Sequence, residues 1–391
     1  MPRYKFIKFF EELSIKDVPR VGGKNASLGE MYSALSKKGL RVPNGFATTA
    51  DAYRYFLDSA GLKPQIRKIL KGLDTHNVKD LMKRGEEVRN LIINTPFPKD
   101  LASEISAAYK ELSADYKSKA TDTAVRSSAT AEDLPDASFA GQQETFLNVV
   151  GEKNILLAVK KCIASLFTNR AISYRVDKKF NHFSIALSVG VQKMVRADLG
   201  SSGVMFTIDT ESGFKDAILI NSIYGLGENI VQGKVNPDEF YYFKPTGTII
   251  SKNLGQKAMR MVYDLKGKKP VKNLPVSPSD RLQFSISDKQ VIQLAKWGLM
   301  IEEHYKRPMD IEWALDGKTK QLFITQARPE TVQSQTNPNV IERYLVEKKS
   351  RVLCFGQSVG NKIGAGEANR IMSVKDITKF KPGQVLVTDM T

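Results

Sequence analysis

The sequence has few cysteines and no long apolar run. Its two cysteines, Cys162 and Cys354, are far apart among 391 residues and sit in apolar settings, so both are expected to be reduced packing residues. No segment approaches the roughly 18 uninterrupted apolar residues of a membrane-spanning helix. The first dozen residues lack the apolar core and cleavage site of a signal peptide. These absences predict a cytoplasmic protein without a membrane partner.

Histidine is also scarce, and the common metal and nucleophile motifs are missing. The three histidines, His76, His182 and His304, stand beside no serine or cysteine in a nucleophile motif. Neither H-E-x-x-H nor C-x-x-C occurs, and the Walker pattern G-x-x-x-x-G-K-[ST] is absent. The sequence therefore argues against zinc-hydrolase chemistry and a P-loop nucleotide site. His304, late in an amphipathic helix, is expected to have a packing or surface role.

Acidic residues are outnumbered, since 59 lysines and arginines face 42 aspartates and glutamates and give a formal charge of +17. A nucleic-acid partner would explain such a charge. The lysines are scattered and mixed with acids, however, and no run of five like charges or nucleic-acid motif occurs. The charge therefore favours a protein that handles a polyphosphate ligand, and no nucleic-acid partner is expected.

The length predicts two or three packed units, and the pattern of elements predicts the α+β class. Helical and strand-like stretches mix without a regular βαβ period. The predicted helices include 50–60, 154–174 and 290–305. The predicted strands include 185–195, 203–208, 217–222, 239–243, 310–315 and 322–327.

A first candidate site is the segment Gly22-Gly23-Lys24-Asn25-Ala26 before a predicted helix. Two glycines at a helix start let backbone N–H groups approach an anion, and a lysine adds a mobile positive charge. An ordinary helix start with an exposed lysine is the alternative, and it is favoured for this segment taken alone.

A second candidate surrounds Arg126, which ends a predicted strand and precedes a loop rich in serine, alanine and aspartate. The guanidinium fork suits phosphate oxygens, and Gly141 would let the backbone of that loop approach a ligand closely. A surface loop with an ion-paired arginine is the alternative interpretation.

A third candidate is the predicted hairpin that carries Asp310, Glu312, Gln326 and Arg328. The period of a strand places Asp310 and Glu312 on one face, and a loop over 317–321 would set Glu312 opposite Gln326 and Asp310 opposite Arg328. Carboxylate and amide oxygens would then converge as a phosphate-bridging Mg²⁺ requires. A salt-bridged hairpin face is the alternative.

A fourth segment, Gly225-Leu226-Gly227-Glu228-Asn229 followed by Gln232, resembles a nucleotide fingerprint only superficially. Its spacing is not G-x-G-x-x-G, so a turn-forming role is favoured.

Seven segments in this order resemble the nucleotide-binding domain of the phosphoenolpyruvate synthase (pyruvate, water dikinase) family. They are G-G-K-N-A-S-L-G-E-M, V-P-N-G-F-A-T-T, V-R-S-S-A-T-A-E-D-L-P-D-A-S-F-A-G-Q-Q-E-T-F-L-N-V, S-G-V-M-F-T-I-D-T-E-S-G-F, G-L-G-E-N-I-V-Q-G-K-V-N-P-D, P-M-D-I-E-W-A-L-D-G and I-T-Q-A-R-P-E-T-V. They cover about residues 20–332. The resemblance implies an ATP-grasp-like fold that holds ATP and Mg²⁺ between two subdomains.

The resemblance also implies site residues. Those matched to nucleotide binding are Lys24, Arg126, Gly141, Thr145, Gln192, Glu312, Gln326 and Arg328. Those matched to the metal are Glu312, Gln326 and, more distantly, Asp310. The catalytic candidates among them are Arg126 and Arg328.

The implied domains are a nucleotide-binding domain over 1–330, with subdomains of about 1–190 and 191–330, a linker over 331–350, and the start of a swivelling phosphohistidine domain over 351–391. In this family a histidine further along the chain carries phosphate from ATP, and pyruvate binds a barrel domain. The sequence is therefore expected to be a fragment that binds ATP and meets pyruvate only through a missing domain. The resemblance leaves a homo-oligomer open.

Three rival functions remain at this point. Another dikinase or a rifampicin-type phosphotransferase would keep the nucleotide domain and change the phosphate acceptor. A nucleotide-sensing module would bind ATP without turnover, and a nucleic-acid binder would show salt-sensitive retention on DNA or RNA.

Overall fold

The computed structural model describes residues 3–130, 133–134, 137–138, 144–264, 267, 269–331, 344–346, 351–353, 362–372, 376 and 379–388. The chain divides into two compact units: Met1–Ile208 with Lys215–Glu330, and Asp209–Phe214 with Thr331–Thr391. Each unit has its own secondary-structure elements.

The helices that the structure describes belong to the first unit. They are α1 (Val18–Glu30), α2 (Ala50–Ser59), α3 (Leu62–Leu70), α4 (Val78–Asn94), α5 (Lys99–Asp115), α6 (Glu152–Ser165), α7 (Asn169–Asp177), α8 (Glu228–Val231), α9 (Pro278–Arg281) and α10 (Asp288–Tyr305). A π-helical turn, Met31–Leu35, and a 3₁₀ turn, Ser36–Lys38, extend α1 as far as Gly39.

The strands in chain order are β1 (Ile7–Phe9), β2 (Gly45–Thr48), β3 (Thr123–Ala129), β4 (Asp133–Leu134), β5 (Ala137–Ser138), β6 (Thr145–Val149), β7 (Leu187–Lys193), β8 (Ser201–Phe206), β9 (Ala217–Tyr224), β10 (Asp238–Phe243), β11 (Thr248–Asn253), β12 (Met259–Tyr263), β13 (Val271–Pro275), β14 (Met309–Leu315), β15 (Leu322–Pro329), β16 (Glu367–Arg370) and β17 (Gln384–Val387).

Two antiparallel sheets organise the first unit. The five-stranded sheet has the order β1-β2-β7-β3-β6, and the six-stranded sheet has the order β11-β10-β9-β8-β14-β15. Helices cover these sheets without the parallel crossovers of a βαβ fold, because the described strand pairs in both sheets are antiparallel. The expected α+β class is therefore confirmed.

Each sheet has its own apolar core. Side chains of α2 to α7 pack on the five-stranded sheet, around fully buried residues such as Phe46 and Phe56. The six-stranded sheet packs against α1 and α10, around Trp313 and Ile301. Cys162 is buried and free in the first core, as expected, whereas Cys354 lies outside the described residues.

Local signals set several helix boundaries. Thr49 caps α2 by accepting a hydrogen bond from the N–H of Ala52, as the sequence indicates. The single helix expected over 154–174 is wrong, because the structure has two helices there. The reason is a second cap: the Thr168 hydroxyl accepts from the N–H of Ala171 and starts α7 after a break.

A buried ion pair fixes the chain before β12. The Lys257 ammonium lies 2.5 Å from Asp238 Oδ1, and both side chains are fully buried. Asp238 also accepts hydrogen bonds from the N–H of Gly255 and from the N–H and hydroxyl of Ser285. These bonds satisfy the hydrogen-bond acceptors of the buried carboxylate. They also hold the segment before β12 against Asp238 at the start of β10.

The second unit contains a parallel pair formed by β16 and β17. Gln384 strengthens it, because its Oε1 accepts hydrogen bonds from Asn369 Nδ2 at 2.8 Å and from the N–H of Lys381 at 2.9 Å. In neither unit does a described helix have the length and apolar character needed to cross a membrane.

Candidate functional site

A cleft of about 480 Å³ lies between the two sheets of the first unit. One part of its lining, the ionic end, consists of Lys24, Arg126, Glu312, Gln326 and Arg328. The other part, the apolar end, consists of Ala124, Met194, Val195, Ala197, Leu226 and Ala314. The lining also includes Lys193 and Glu228. The whole lining therefore has four cationic side chains and two carboxylates. The cleft therefore combines an apolar surface with a net positive charge.

Lys24 reaches the cleft from α1, two residues after a break in that helix. Gly22 interrupts that helix with a φ of 73° and a ψ of 165°, a conformation essentially restricted to glycine. A Cβ at Gly22 would meet Ser128 Oγ at 2.3 Å and the Ser128 carbonyl oxygen at 2.6 Å. Asn25 adds a buried hydrogen bond from its Nδ2 to Ser188 Oγ at 2.8 Å. Gly22 thus lets the Lys24 segment lie directly on β3, and Asn25 bonds it to β7.

Arg126 enters the cleft from β3. Its Nη1 donates to the Thr325 carbonyl oxygen at 3.3 Å and lies 3.8 Å from Glu312 Oε2. Its buried Nε has no hydrogen-bond partner among the described residues. A partly buried guanidinium with an unused donor is suited to receive an anionic oxygen.

The hairpin of β14 and β15 has the register expected from the sequence. Glu312 pairs with Gln326, and Asp310 pairs with Arg328. Gln326 Nε2 donates to Glu312 Oε1 at 3.1 Å, so the two side chains lie together at the ionic end. The loop between the strands also matches, since the N–H of Asp316 donates to the Gln321 carbonyl oxygen.

Asp310 is held by Arg328 and is absent from the cleft lining given by the described residues. Arg328 Nε and Nη2 lie 2.9 Å and 2.8 Å from Asp310 Oδ2. Burial raises the pKa of the Asp310 carboxyl, an effect that the Arg328 charge opposes. The Asp310 carboxylate therefore orients Arg328 from a position outside the cleft lining. The role of Asp310 as a metal ligand stays a prediction.

The remaining expected residues occupy different positions. Thr145 lines the cleft at the start of β6 and pairs with Arg126 across the sheet. Gln192, nearly fully buried on β7, also lines the cleft and donates from Nε2 to the Pro43 carbonyl oxygen at 3.3 Å. Gly141 lies outside the described residues.

Lys193 is a lining residue that the sequence interpretation missed. Its Nζ lies 2.6 Å from Asp122 Oδ1 and 2.6 Å from the Met194 carbonyl oxygen. Tyr263 donates from its hydroxyl to the other Asp122 oxygen at 2.7 Å. A lone lysine after a glutamine carries no motif, so no local signal could have identified this group.

The spacing of the glycines in the segment from Gly225 to Gln232 favours a turn-forming role, although the segment is one of the seven that carry the family resemblance. The structure places Leu226, Gly227, Glu228 and Gln232 on the cleft. Gly225 does form a turn, with a φ of 84°, but the turn delivers polar side chains to the lining. The G-L-G-E sequence is the available signal, but its spacing is not G-x-G-x-x-G and so predicts a turn rather than a binding role.

The donor set of the ionic end fits a magnesium ion shared with a ligand. In the part of the chain that the structure describes, no group of three or more His, Cys, Asp or Glu side chains could hold a metal. Glu312 and Gln326 offer carboxylate and amide oxygens, and Mg²⁺ accepts one or two protein oxygens when phosphates complete its shell. These residues therefore fit a phosphate-bound Mg²⁺ and do not form an all-protein metal site.

Comparison with protein families gives one match that covers most of the chain. Residues 18–349 match the family described as pyruvate phosphate dikinase, AMP/ATP-binding domain. This range contains every residue of the ionic and apolar ends.

Curated relatives extend the similarity to nearly the whole sequence. The phosphoenolpyruvate synthase of Synechocystis sp. is 54% identical over 98% of this chain and 49% of its own length. The phosphoenolpyruvate synthases of Aquifex aeolicus and Escherichia coli are each 52% identical over 98% of this chain, and over 47% and 49% of their own lengths. The chain thus spans about half the length of the curated relatives it matches.

Proposed function

We propose, since this chain belongs to the family of the pyruvate phosphate dikinase AMP/ATP-binding domain, that its cleft binds ATP together with Mg²⁺. The observation that carries the proposal is the convergence of Lys24, Arg126, Glu312, Gln326 and Arg328 at one end of a single cleft. These residues come from four elements and from distant parts of the sequence. A polyphosphate at that end would meet three cations and the two metal-type oxygen donors.

The proposed roles follow from chemistry and position. Lys24 and Arg126 bind phosphate oxygens, and Arg126 and Arg328 offset the charge that develops when a phosphoryl group is transferred. Thr145 and Gly141 belong to the segment that covers the phosphates. When bound, Mg²⁺ would be held by Glu312 and Gln326 and would neutralise phosphate charge. Gln192 and the apolar end receive the adenine side of the nucleotide.

The proposed fold is ATP-grasp-like, with ATP held between subdomains of about 1–190 and 191–330. The proposal keeps a linker over 331–350 and assigns 351–391 to a swivelling phosphohistidine domain. The parallel pair of β16 and β17 is consistent with an ordered element in that last region.

For the whole protein, we propose the activity named for its relatives, that of a phosphoenolpyruvate synthase. Such an enzyme converts ATP, pyruvate and water to AMP, phosphoenolpyruvate and phosphate through a phosphohistidine. The relatives are about twice as long as the aligned region, and the proposal assigns the phosphohistidine and pyruvate chemistry to their remaining half. In that scheme the present cleft positions the polyphosphate for attack.

Calorimetry with ATP and Mg²⁺ tests the nucleotide site directly. The 391-residue chain is expected to bind ATP, and Arg126→Ala is expected to weaken binding by about tenfold or more, because charge-assisted bonds to phosphate are lost. Arg170→Ala, an exposed arginine on α7 away from the cleft lining, is the matched control and should bind as the wild type does. Absence of ATP binding by the wild type, or unchanged binding by Arg126→Ala, would contradict the proposal.

A further inference from the structure

Ser27, one turn of α1 after Lys24, has a nearly fully buried side chain that bonds to β15. Its Oγ donates to the Ala327 carbonyl oxygen at 2.8 Å, across 300 positions of the sequence. Ala327 stands on β15 between Gln326 and Arg328, the two residues that this strand contributes to the ionic end. The bond therefore joins the helix of Lys24 to the strand of Gln326 and Arg328.

The Ser27 hydroxyl both donates and accepts a hydrogen bond. A serine hydroxyl has one proton, and this proton goes to the Ala327 carbonyl oxygen. The Tyr305 hydroxyl, 3.1 Å from Ser27 Oγ, is therefore the donor of that second bond. Burial raises the pKa of Tyr305 to about 12, so its hydroxyl stays protonated and donates. The resulting chain of hydrogen bonds runs from the end of α10 through α1 to β15.

These bonds attach α1 to both sheets of the first unit. Asn25 bonds to β7 of the five-stranded sheet, and Ser27 bonds to β15 of the six-stranded sheet. Arg126 also joins the sheets, through its bond of 3.3 Å to the Thr325 carbonyl oxygen on β15. Arg126 lines the cleft, however, so a phosphate would compete with Thr325 for its donors. Among the residues that the structure describes, Ser27 is not part of the lining, so its shorter bond can persist when the cleft is filled.

We infer that Ser27 is a positioning residue for phosphate binding, because it holds Gln326 and Arg328 in place relative to Lys24. This inference rests on the proposed ATP site and adds to it a link that fixes the spacing of its two halves. Ser27 touches no ligand in this scheme and acts through the backbone of β15. The rival role is purely structural, since a buried hydroxyl with both bonds made also stabilises the packing of α1.

Calorimetry with ATP and Mg²⁺ on the 391-residue chain separates the two roles. Ser27→Ala should weaken ATP binding about tenfold, because the lost hydrogen bond no longer holds the strand of Arg328. Arg328→Ala should then weaken binding less in the Ser27→Ala background than in the wild type, since both changes act through the same strand. Ser33→Ala is the matched control, because it removes a half-buried hydroxyl 3.4 Å from the Leu13 carbonyl oxygen in the π-helical turn after α1. This control should bind ATP as the wild type does.

Circular dichroism at the titration temperature checks that each variant is folded. Tyr305→Phe, which removes only the hydroxyl that donates to Ser27, is the second variant and should give a smaller loss of the same kind. If Ser27→Ala lowers stability and leaves ATP affinity unchanged, Ser27 only stabilises packing and the inference is overturned, although the ATP site stands. If the losses of Ser27→Ala and Arg328→Ala simply multiply in the double variant, Ser27 does not act through β15. If the wild type binds no ATP, the proposed function fails and the positioning role fails with it.

Discussion

At the scale of single residues, the ionic end of the cleft is a set of charges already paired with one another. Arg328 is held by Asp310, while Arg126 lies 3.8 Å from Glu312. Such pairing keeps the side chains in place before a ligand arrives, so less ordering is required on binding. The sequence predicts the pair of Asp310 and Arg328, which lies within one hairpin, whereas the pair of Arg126 and Glu312 joins strands from distant parts of the chain.

His182 shows how burial changes the chemistry of a single side chain. Burial lowers its pKa from about 6.5 to about 4, and the nearby Arg175 charge acts in the same direction. The neutral ring is also the hydrogen-bond acceptor, because Arg175 Nε donates to His182 Nδ1 at 3.1 Å. The unfolded chain therefore binds a proton at a higher pH than the folded protein does.

This difference predicts a loss of stability in acid. The contribution of neutral His182 to the free energy of unfolding is present above pH 6.5. It is lost as the pH falls towards about 4, because His182 binds a proton in the unfolded state first. His182→Asn keeps an acceptor and removes the titration. Urea unfolding at pH 7 and pH 4.5 should show that the wild type loses about 2 kcal/mol more than the variant, after allowance for partial exposure. Equal losses in the two proteins would contradict this assignment.

At the scale of elements, the packing of α1 against β3 depends on one glycine inside the helix. Gly22 and Gly39 both have positive φ values, but only Gly22 is crowded. Gly22→Ala should lower the free energy of unfolding by about 3 kcal/mol or more, because the new methyl group collides with Ser128 in a strained backbone conformation. Gly39→Ala, where nothing lies within 4 Å of the new Cβ, should cost about 1 kcal/mol.

Chemical denaturation of the two alanine variants measures this difference, and ATP titration shows its effect on the site. Gly22→Ala should also weaken ATP binding, since it displaces the segment that carries Lys24, whereas Gly39→Ala should not. Similar losses of stability in the two variants would show that the approach of Gly22 to β3 is unimportant.

At the scale of the whole molecule, a small apolar cluster joins the two sheets of the first unit, and one carboxylate joins the five-stranded sheet to the β12–β13 hairpin. Ala124 of the five-stranded sheet, Ala314 of the six-stranded sheet and Tyr263 of the β12–β13 hairpin share this cluster. Asp122, directly before β3, accepts hydrogen bonds from Lys193 and from Tyr263. Burial, with the Asp122 charge, raises the pKa of Tyr263, so its hydroxyl stays protonated and donates.

Removal of the Tyr263 hydroxyl tests this connection. Tyr263→Phe should lower the free energy of unfolding by about 1 to 2 kcal/mol and reduce amide-exchange protection in β12 and β13 more than in β9 and β10. Tyr55→Phe removes a similar bond, 2.9 Å from the Tyr55 hydroxyl to Asp100, at an exposed site, and should leave protection unchanged. Equal effects of the two variants would argue against a structural connection through the hydrogen bond of Tyr263 to Asp122.

The sequence by itself determined what depends on short range. Strand period and loop length set Glu312 opposite Gln326, and a threonine before an apolar run started α2. The α+β class also followed from the order of the elements. One helix was expected where Thr168 makes two, because a competing cap inside a helical pattern is a weak local signal.

Only the tertiary structure decided which distant residues share the cleft. Lys193 is bound by Asp122, 71 positions earlier, and Gly22 rests on Ser128, more than 100 positions later. Glu228 lines the cleft because the β12–β13 hairpin holds its segment there. Such contacts depend on how two sheets and a hairpin pack, which no local pattern encodes. The sequence therefore supplied the chemical groups of the site, and long-range packing supplied their arrangement.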